Sequence, residues 1–184
     1  MTLLQVVLSD NNRHPKRKGR RGLIYRLLFN PTSKFLFLFR LGHSLSNNNV
    51  ISKLLLGVVE FLYKHYSLRI GVDMPIATTV GYGISFPHTY GIVINPATII
   101  GDNVTILSGV TIGSNRRKSG AAHIGNNVVL CAGCCIIGPV TIGDNSIIGA
   151  NAVVVKDVPE NSVVVGNPGR VISNDGIHYV KDYS

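Results

Sequence analysis

From residue 94 onward the chain keeps a six-residue beat. Aliphatic residues recur at Ile94, Ile100, Ile106 and Ile112, then at Ile124, Leu130, Ile136, Ile142, Ile148 and Val154. Four places after most of them sits a small or β-branched residue: Val104, Val110, Val128, Cys134, Val140, Ser146, Ala152, Val158. Glycine directly follows several, as at Gly101, Gly113, Gly125, Gly143 and Gly149. Neither the helical period of 3.6 nor the alternation of a strand produces this pattern. A hexapeptide repeat predicts a parallel β-helix, in which each unit forms one flat side of a triangular prism and three units close a coil. The aliphatic residues then stack inward as a ladder, and the residue four places on points inward near a corner, where only a small side chain fits. Corner pairs such as Asp102-Asn103, Asn126-Asn127 and Asp144-Asn145 tolerate the positive φ of tight corners, as does glycine. The expected fold class is mostly β, a left-handed parallel β-helix with an α-helical N-terminal region. The left hand belongs to the architecture known for such repeats, not to the spacing, and departs from the usual right-handed crossover.

The beat slips twice. Val80, Phe86 and Ile92 keep the spacing, but the next register starts at Ile94, so two residues are extra near His88 to Ile94. The second slip is Ser114 to His123, where Lys118 stands in place of an aliphatic residue. This stretch reads as a loop thrown out of the prism, and loops on a rigid repeat are where function is usually carried.

Ahead of the prism, residues 20 to 70 read as helical. Leu23, Ile24, Leu27 and Leu28 share a face. Pro31 breaks that helix and Thr32 or Ser33 caps the next. Phe35, Leu36, Phe39 and Leu45 continue the pattern, and Leu54, Leu55, Val58, Val59, Leu62 and Tyr66 form a third stripe. These stripes are expected to pack on the prism or a neighbouring subunit, with shallow bilayer contact as the alternative. The expected division is residues 1–70 as basic tail and helices, 71–172 as the prism with its loop 114–123, and 173–184 as a C-terminal tail. No apolar stretch is long enough to span a bilayer: Arg40 interrupts Phe35 to Leu41, and Lys53 and Glu60 interrupt Val50 to Tyr63. No secretory signal is evident. The expected location is the cytoplasm, with any peripheral membrane contact at its inner face.

Charge adds one question. Lys plus Arg number 18 against 9 acids, a formal +9, and Arg13, Lys16, Arg17, Lys18, Arg20 and Arg21 crowd together. Such a block reads first as a solvated, disordered tail. A membrane surface is the second reading, since apolar residues follow directly. Nucleic acid is third and is not expected as a partner, because no nucleic-acid motif accompanies the charge. The three cysteines, Cys131, Cys134 and Cys135, fall in one repeat. Cys134 occupies an inward position as a small core residue. A rigid strand does not bring all three onto one ion and no fourth cysteine exists, so no metal is expected. The odd count fits a reducing compartment.

A short prism has few cavities of its own, so pockets are expected where subunits meet, and three-fold association would make three equivalent clefts. His88 lies at the first slip, and an imidazole can take a proton from a hydroxyl. Asp73, fifteen residues earlier and nearly one coil away, is placed to approach His88 and fix its tautomer. The alternative is that Asp73 caps the junction of helix and prism and His88 is a surface corner residue. His123 closes the loop and either contacts substrate or plugs the loop base. Arg116, Arg117 and Lys118 suit a phosphate-bearing ligand or form a solvated charge run.

The run Gly101-Asp-Asn-Val-Thr-Ile, Ile124-Gly-Asn-Asn-Val and Ile142-Gly-Asp-Asn-Ser-Ile-Ile-Gly-Ala150 resembles the hexapeptide acyltransferases. The stretch Val158-Pro-Glu-Asn-Ser-Val-Val-Val-Gly-Asn-Pro168-Gly-Arg170-Val-Ile resembles their closing signature. In pattern the nearest are the serine acetyltransferases and the colanic-acid-type polysaccharide O-acetyltransferases. The likeness implies that His88, in Phe86-Pro87-His88-Thr-Tyr90-Gly91-Ile-Val-Ile94, is the catalytic base and Asp73 its orienting partner. It also implies acetyl-CoA as donor and a homotrimer, with the pantetheine arm between prisms beside Gly113, Ala132 and Ala150. A backbone N–H near Gly113 or Ser114 would stabilise the oxyanion. Gly166, Pro168 and Arg170 match the closing loop near the nucleotide end, and Arg116 or Lys156 would meet phosphates. Tyr90 and His123 are the candidates for contact with the acceptor. No covalent acyl-enzyme is needed, so the cysteines are bystanders.

Two departures bear on the acceptor. The serine acetyltransferases carry Asp where Pro87 stands, and Arg-His-Pro where Gly120, Ala121 and Ala122 stand. An amino-acid ammonium loses an anionic partner, at roughly 1.5–3 kcal/mol for a hydrogen bond to a charged group. The Ala122-His123-Ile124-Gly125-Asn126 junction instead looks like the Pro-His-Ile-Gly-Asn stretch of the colanic-acid-type enzymes. The expected activity is therefore O-acetylation of a sugar hydroxyl in surface polysaccharide biosynthesis. A lipid-linked saccharide as acceptor would account for the basic, aromatic N-terminal region. Serine O-acetyltransferase is the alternative. A non-catalytic trimer, or a metal-dependent one like the γ-class carbonic anhydrases, is the third reading.

Overall fold

The structure is a computed structural model. It describes residues 2–13, 18–45, 50–115 and 119–183, with backbone only at 50–53. Four helices precede the prism: α1 (Leu3–Asn12), α2 (Gly19–Phe29), α3 (Pro31–Leu45) and α4 (Val50–Ile70). The prism is a left-handed parallel β-helix. Its first face stacks β1 (Val72–Asp73), β3 (Ile92–Ile94), β6 (Thr111–Gly113), β9 (Cys135–Ile137) and β12 (Val153–Val154). The second stacks β2 (Thr79–Val80), β4 (Ile99–Ile100), β7 (His123–Ile124) and β10 (Thr141–Ile142). The third stacks β5 (Thr105–Ile106), β8 (Val129–Leu130), β11 (Ile147–Ile148), β13 (Val163–Val165) and the antiparallel β14 (Arg170–Ser173).

The aliphatic ladder is the core. Ile94, Ile100, Ile106, Ile112, Ile124, Leu130, Ile136, Ile142 and Ile148 are all buried, as are Val104, Val110, Val128, Cys134 and Ala152 at the narrow corners. Each large side chain removed from water contributes about 1.5–3 kcal/mol, so the repeat itself supplies the driving force. Ser146 breaks the apolar rule without cost, since its hydroxyl donates to the Pro159 carbonyl at 2.9 Å and accepts from the Ser162 amide at 3.2 Å.

At the corners Asn103, Asn127, Asn145 and Asn161 adopt φ of 57°, 54°, 57° and 58°. Their side-chain amides form a ladder along the prism, each donating to the next at 3.3, 3.0 and 3.2 Å. The preceding glycines serve another end than the positive φ expected of them. Gly101 and Gly125 are absent from the positive-φ positions. A Cβ there would lie 2.6 Å from Asn126 Oδ1 and 2.3 Å from Asp144 Oδ1. They are required by the close approach of the next coil.

The register locates both slips. Coil length runs from Val72 to Ile92, then Val93 to Thr111, Thr111 to Cys135 and Cys135 to Val153, which is 20, 18, 24 and 18 residues. The long third coil is the loop before His123. In the first coil, the Ile106 amide donates to the Ser85 carbonyl and the Gly109 amide to the Tyr90 carbonyl. Five positions from Ser85 to Tyr90 therefore match three from Ile106 to Gly109. The two extra residues lie between Ser85 and Tyr90, in the stretch that contains His88.

The N-terminal region differs from expectation in four ways. Residues 3–12, expected as tail, are a helix opened by a reciprocal capping box between Thr2 and Gln5. Asn30, not Thr32 or Ser33, caps α3: its side-chain oxygen accepts from the Ser33 amide at 3.1 Å, and Pro31 takes the first helical place, where its missing N–H costs nothing. The α4 stripe divides. Val59 packs inward and Tyr66 is partly buried against the core, whereas Leu54 is 79% and Val58 58% exposed, with Leu55 and Leu62 also outward; Tyr63 and Ile70, outside the expected stripe, are buried as well. In α2, Leu23 is buried while Ile24 and Leu28 face out. Of the basic block, Lys16 and Arg17 lie outside the described residues. Among those described, no helix is long and apolar enough to cross a membrane.

The end of α1 stands in for a coil that the prism lacks. The Gly83 amide donates to Ser9 Oγ at 3.1 Å and the Ile84 amide to Asp10 Oδ1 at 3.0 Å. Arg40, buried on α3, pairs with Asp10 at 2.9 and 3.1 Å and donates to the Val80 carbonyl at 2.7 Å and to the Gly81 carbonyl. Within 173–184, expected as a tail, two short elements form. α5 (Gly176–Val180) and a 3-10 turn (Lys181–Tyr183) lie on the third face, with Val180 packed against Val129 and Ile147. Arg13 bonds Thr105 Oγ1 at 2.7 Å and the Tyr183 carbonyl at 3.0 Å, tying the end of α1 to the end of the chain.

Candidate active site

The corner from the third face to the first carries His88. Phe86 anchors it from inside, buried and edge-on to Phe35 at 6.2 Å. Beyond His88 the chain re-enters the prism at Tyr90, whose φ is 79°. The Tyr90 amide donates to Ile70 and its carbonyl accepts from Gly109, both at 2.9 Å. The inserted residues between these anchors push His88 outward, and its side chain is exposed. Tyr90 is 70% exposed beside it.

The same edge continues below with small residues. The Gly133 amide donates to the Ser108 carbonyl and the Asn151 amide to the Ala132 carbonyl, which aligns Tyr90, Ser108, Ala132 and Ala150 in one column. Ala132 and Ala150 therefore share an edge with His88, and both are exposed. Pro168 and Arg170 lie at the far end of this edge, where the Gly169 amide donates to Val153. Gly113 and Ser114 lie at the other margin of the first face, where the loop departs, and Lys156 is exposed at the corresponding corner of the last coil. A single chain thus splits the expected cofactor residues between two edges. Arg116, Arg117 and Lys118 lie outside the described residues.

Asp73 is exposed on β1, opposite Val93 in the register. In the single chain no hydrogen bond joins it to His88. His123 points out from the second face, away from the His88 edge, and its neighbours Ala122 and Ile124 are buried.

Between α4 and the first coil runs a groove of about 730 Å³, walled by Glu60, Tyr63, Lys64 and Ser67 on one side and Asp73 and Val93 on the other. Two bonds fix its walls together: the Tyr63 hydroxyl donates to the Met74 carbonyl, and the Ser67 hydroxyl to the Val72 carbonyl. Burial, reinforced by the negative charge of Asp73, pushes the Tyr63 phenol far above its ordinary range, so it stays a neutral donor. Sequence reasoning missed this wall, treating Glu60 only as a residue that interrupts an apolar run. The available signal was the spacing of 60, 64 and 67 on one helical face.

Two of the cysteines are held as thiols. Burial pushes the Cys134 thiol far up, and raises Cys131 as well. Among the described residues no three of His, Cys, Asp or Glu gather as a metal ion requires.

Residues 121–156 match the family described as bacterial transferase hexapeptide (six repeats). A serine acetyltransferase from Synechococcus elongatus is 42% identical over 125 residues, 66% of this chain and 51% of that protein. The crystal structure of the Neisseria gonorrhoeae serine acetyltransferase superposes with a TM-score of 0.75 at 30% identity, covering 94% of this chain and 68% of that one. The chain belongs to the hexapeptide-repeat acyltransferases. A serine acetyltransferase in complex with CoA matches at a TM-score of 0.74 and 27% identity, covering 92% of this chain and 69% of that one. The chain spans about half the length of the curated relatives it matches.

These matches overturn the expectation of a sugar acceptor in polysaccharide biosynthesis, since the similar proteins are serine acetyltransferases. The closeness to colanic-acid-type enzymes finds no support either. That inference weighed two local positions, Pro87 and the loop end, above the whole prism. A missing charge at one position can be replaced from another element.

Proposed function

We propose that this chain is an acetyl-CoA-dependent serine O-acetyltransferase working as a homotrimer in the cytoplasm. The observation that carries the reading is the two-residue insertion that lifts His88 out of an edge otherwise lined by Ser108, Ala132 and Ala150. That edge offers a flat track for a pantetheine arm, with a proton acceptor at its head. Gly113 and Ser114, on the other margin of the first face, complete the site from a neighbouring prism in this reading.

His88 takes the proton of the serine hydroxyl as its oxygen attacks the thioester carbonyl. The tetrahedral oxyanion is held by a backbone N–H near Gly113 or Ser114. Collapse breaks the C–S bond and the departing thiolate recovers the proton from His88, giving CoA and O-acetylserine. In this reading Asp73, on β1 beside the strand that follows the His88 corner, balances the charge that develops on His88. Ala132 and Ala150 leave room for the cofactor arm, Pro168 and Arg170 would meet its nucleotide end from the same edge, and Lys156 would meet it from the margin that a neighbouring prism contributes with Gly113 and Ser114.

The test is release of CoA from acetyl-CoA with L-serine as acceptor. Turnover is expected in wild type, and a loss of about 10²–10⁴-fold in His88→Ala. No turnover of L-serine by wild type removes the acceptor assignment, and an unimpaired His88→Ala removes the base.

A further inference from the structure

The groove between α4 and β1 has a charge pattern at odds with its helix. The outward side of α4 is apolar, with Leu54, Val58 and Phe61 exposed. Glu60 and Lys64 instead turn toward the prism and line the groove with Asp73. A surface helix ordinarily does the reverse. Glu60 is also the sole acid in the sequence between Asp10 and Asp73. Glu and Lys four apart in this order are suited to pair with each other. Here they form no ion pair with each other, and each keeps its charge facing the groove. The Tyr63–Met74 and Ser67–Val72 bonds hold this stretch of α4 against β1, so the backbone positions from which both charges project are fixed over the groove. Its far wall is Gly91, Ile92 and Val93, the segment that directly follows the His88–Tyr90 corner.

We infer that Glu60 and Lys64 read the two charged ends of the acceptor: Glu60 the ammonium and Lys64 the carboxylate of a small zwitterionic hydroxy amino acid. This rests on the serine acceptor proposed above and supplies what Pro87 and Gly120 do not, a pair of opposite charges in the groove whose wall follows the His88 corner. They are specificity-determining residues and take no part in the proton transfer.

Steady-state kinetics on the full-length protein test this, with L-serine, 3-hydroxypropanoate (no ammonium) and L-serinamide (no carboxylate) as acceptors. Glu60→Gln is expected to raise KM for L-serine at least tenfold, keep kcat within about twofold, and leave KM for 3-hydroxypropanoate unchanged. Lys64→Met is expected to raise KM for L-serine similarly and leave that for L-serinamide unchanged. Both side chains are exposed, so the variants should melt with wild type. If wild type turns over L-serine and both variants keep its KM, this inference is wrong and the function stands. If the variants instead change sedimentation without changing KM, the groove seats a second copy of the chain and the inference is again wrong. If wild type does not use L-serine at all, function and inference fall together.

Discussion

Tyr90 lies so close over Gly71 that a Cβ on the glycine would sit 2.9 Å from the Tyr90 Cα and 3.1 Å from its ring. Both residues have left-handed backbones, at 79° and 68°. A bulky residue at positive φ is strained, and such strain persists only where the surroundings enforce it. Here they do so with the Ile70 and Gly109 bonds on either side of Tyr90.

Gly71→Ala is therefore expected to destabilise the fold by about 1–3 kcal/mol and to displace the corner that carries His88. Urea unfolding measures the first effect. The second appears as a drop in kcat of at least tenfold, measured well below the variant's melting temperature. Tyr90→Gly separates the two contributions: relieved of strain, it should be no less stable than wild type, while KM for the acceptor rises. If Tyr90→Gly is destabilised and its KM is unchanged, Tyr90 is a packing residue only.

The prism was legible because its signal is local and repeated. Each inward aliphatic residue predicts the next one six places on, and a two-residue frame shift is visible against so regular a background. The groove beside β1 was not legible, because Glu60 and Asp73 come to line one surface only once α4 docks on β1. The helix α1 escaped for a similar reason. Its polar end, Ser9 and Asp10, looks like the start of a loop until Arg40, thirty positions on, and the unpaired amides of Gly83 and Ile84 supply partners. Glycines were legible as necessary but for the wrong cause at Gly101 and Gly125, where crowding from the following coil is invisible in one repeat taken alone. The sugar acceptor was expected because Pro87 and the loop end were weighed above the prism as a whole, and it is the whole prism that matches the serine acetyltransferases.

The Asp10–Arg40 pair gives a prediction with a definite sign. Removing one partner of a buried pair strands the other, at about 3–5 kcal/mol. Arg40→Met should fall in that range, since it also leaves the Val80 and Gly81 carbonyls without their donor. Asp10→Asn should cost less, because an amide oxygen still accepts from Ile84. Burial raises the Asp10 carboxyl above its ordinary value, outweighing the Arg40 charge that lowers it. The folded state thus holds this proton more tightly than the unfolded state does. Asp10 then contributes stability at acid pH that declines as pH rises from the ordinary aspartate range through the raised folded value. Asp10→Asn should lack that decline. The comparison is urea midpoints of the two proteins across the acid range, and a wild-type midpoint that gains more than the variant's as pH rises there contradicts the assignment.

The asparagine ladder can be taken apart at its middle rung. Asn127 accepts from Asn103 at 3.3 Å and donates to Asn145 at 3.0 Å, with φ of 54°. Its side chain and its backbone thus make separable contributions. Asn127→Gly keeps the left-handed backbone and deletes both bonds, at about 0.5–1.5 kcal/mol each. Asn127→Asp keeps an acceptor for Asn103 but sets a carboxylate oxygen against the Asn145 oxygen, so it should cost more than Gly. Asn127→Val loses both bonds and adds a β-branched side chain at positive φ, a further 1–3 kcal/mol or so, and should be the least stable. Because each coil contacts chiefly its neighbours, the damage should also be local, with amide exchange speeding up in the coils of Asn103 and Asn145 before it does near Val164. Equal stability of the Gly and Val variants would mean that the corner tolerates a right-handed backbone, and that the ladder, not φ, selects asparagine there.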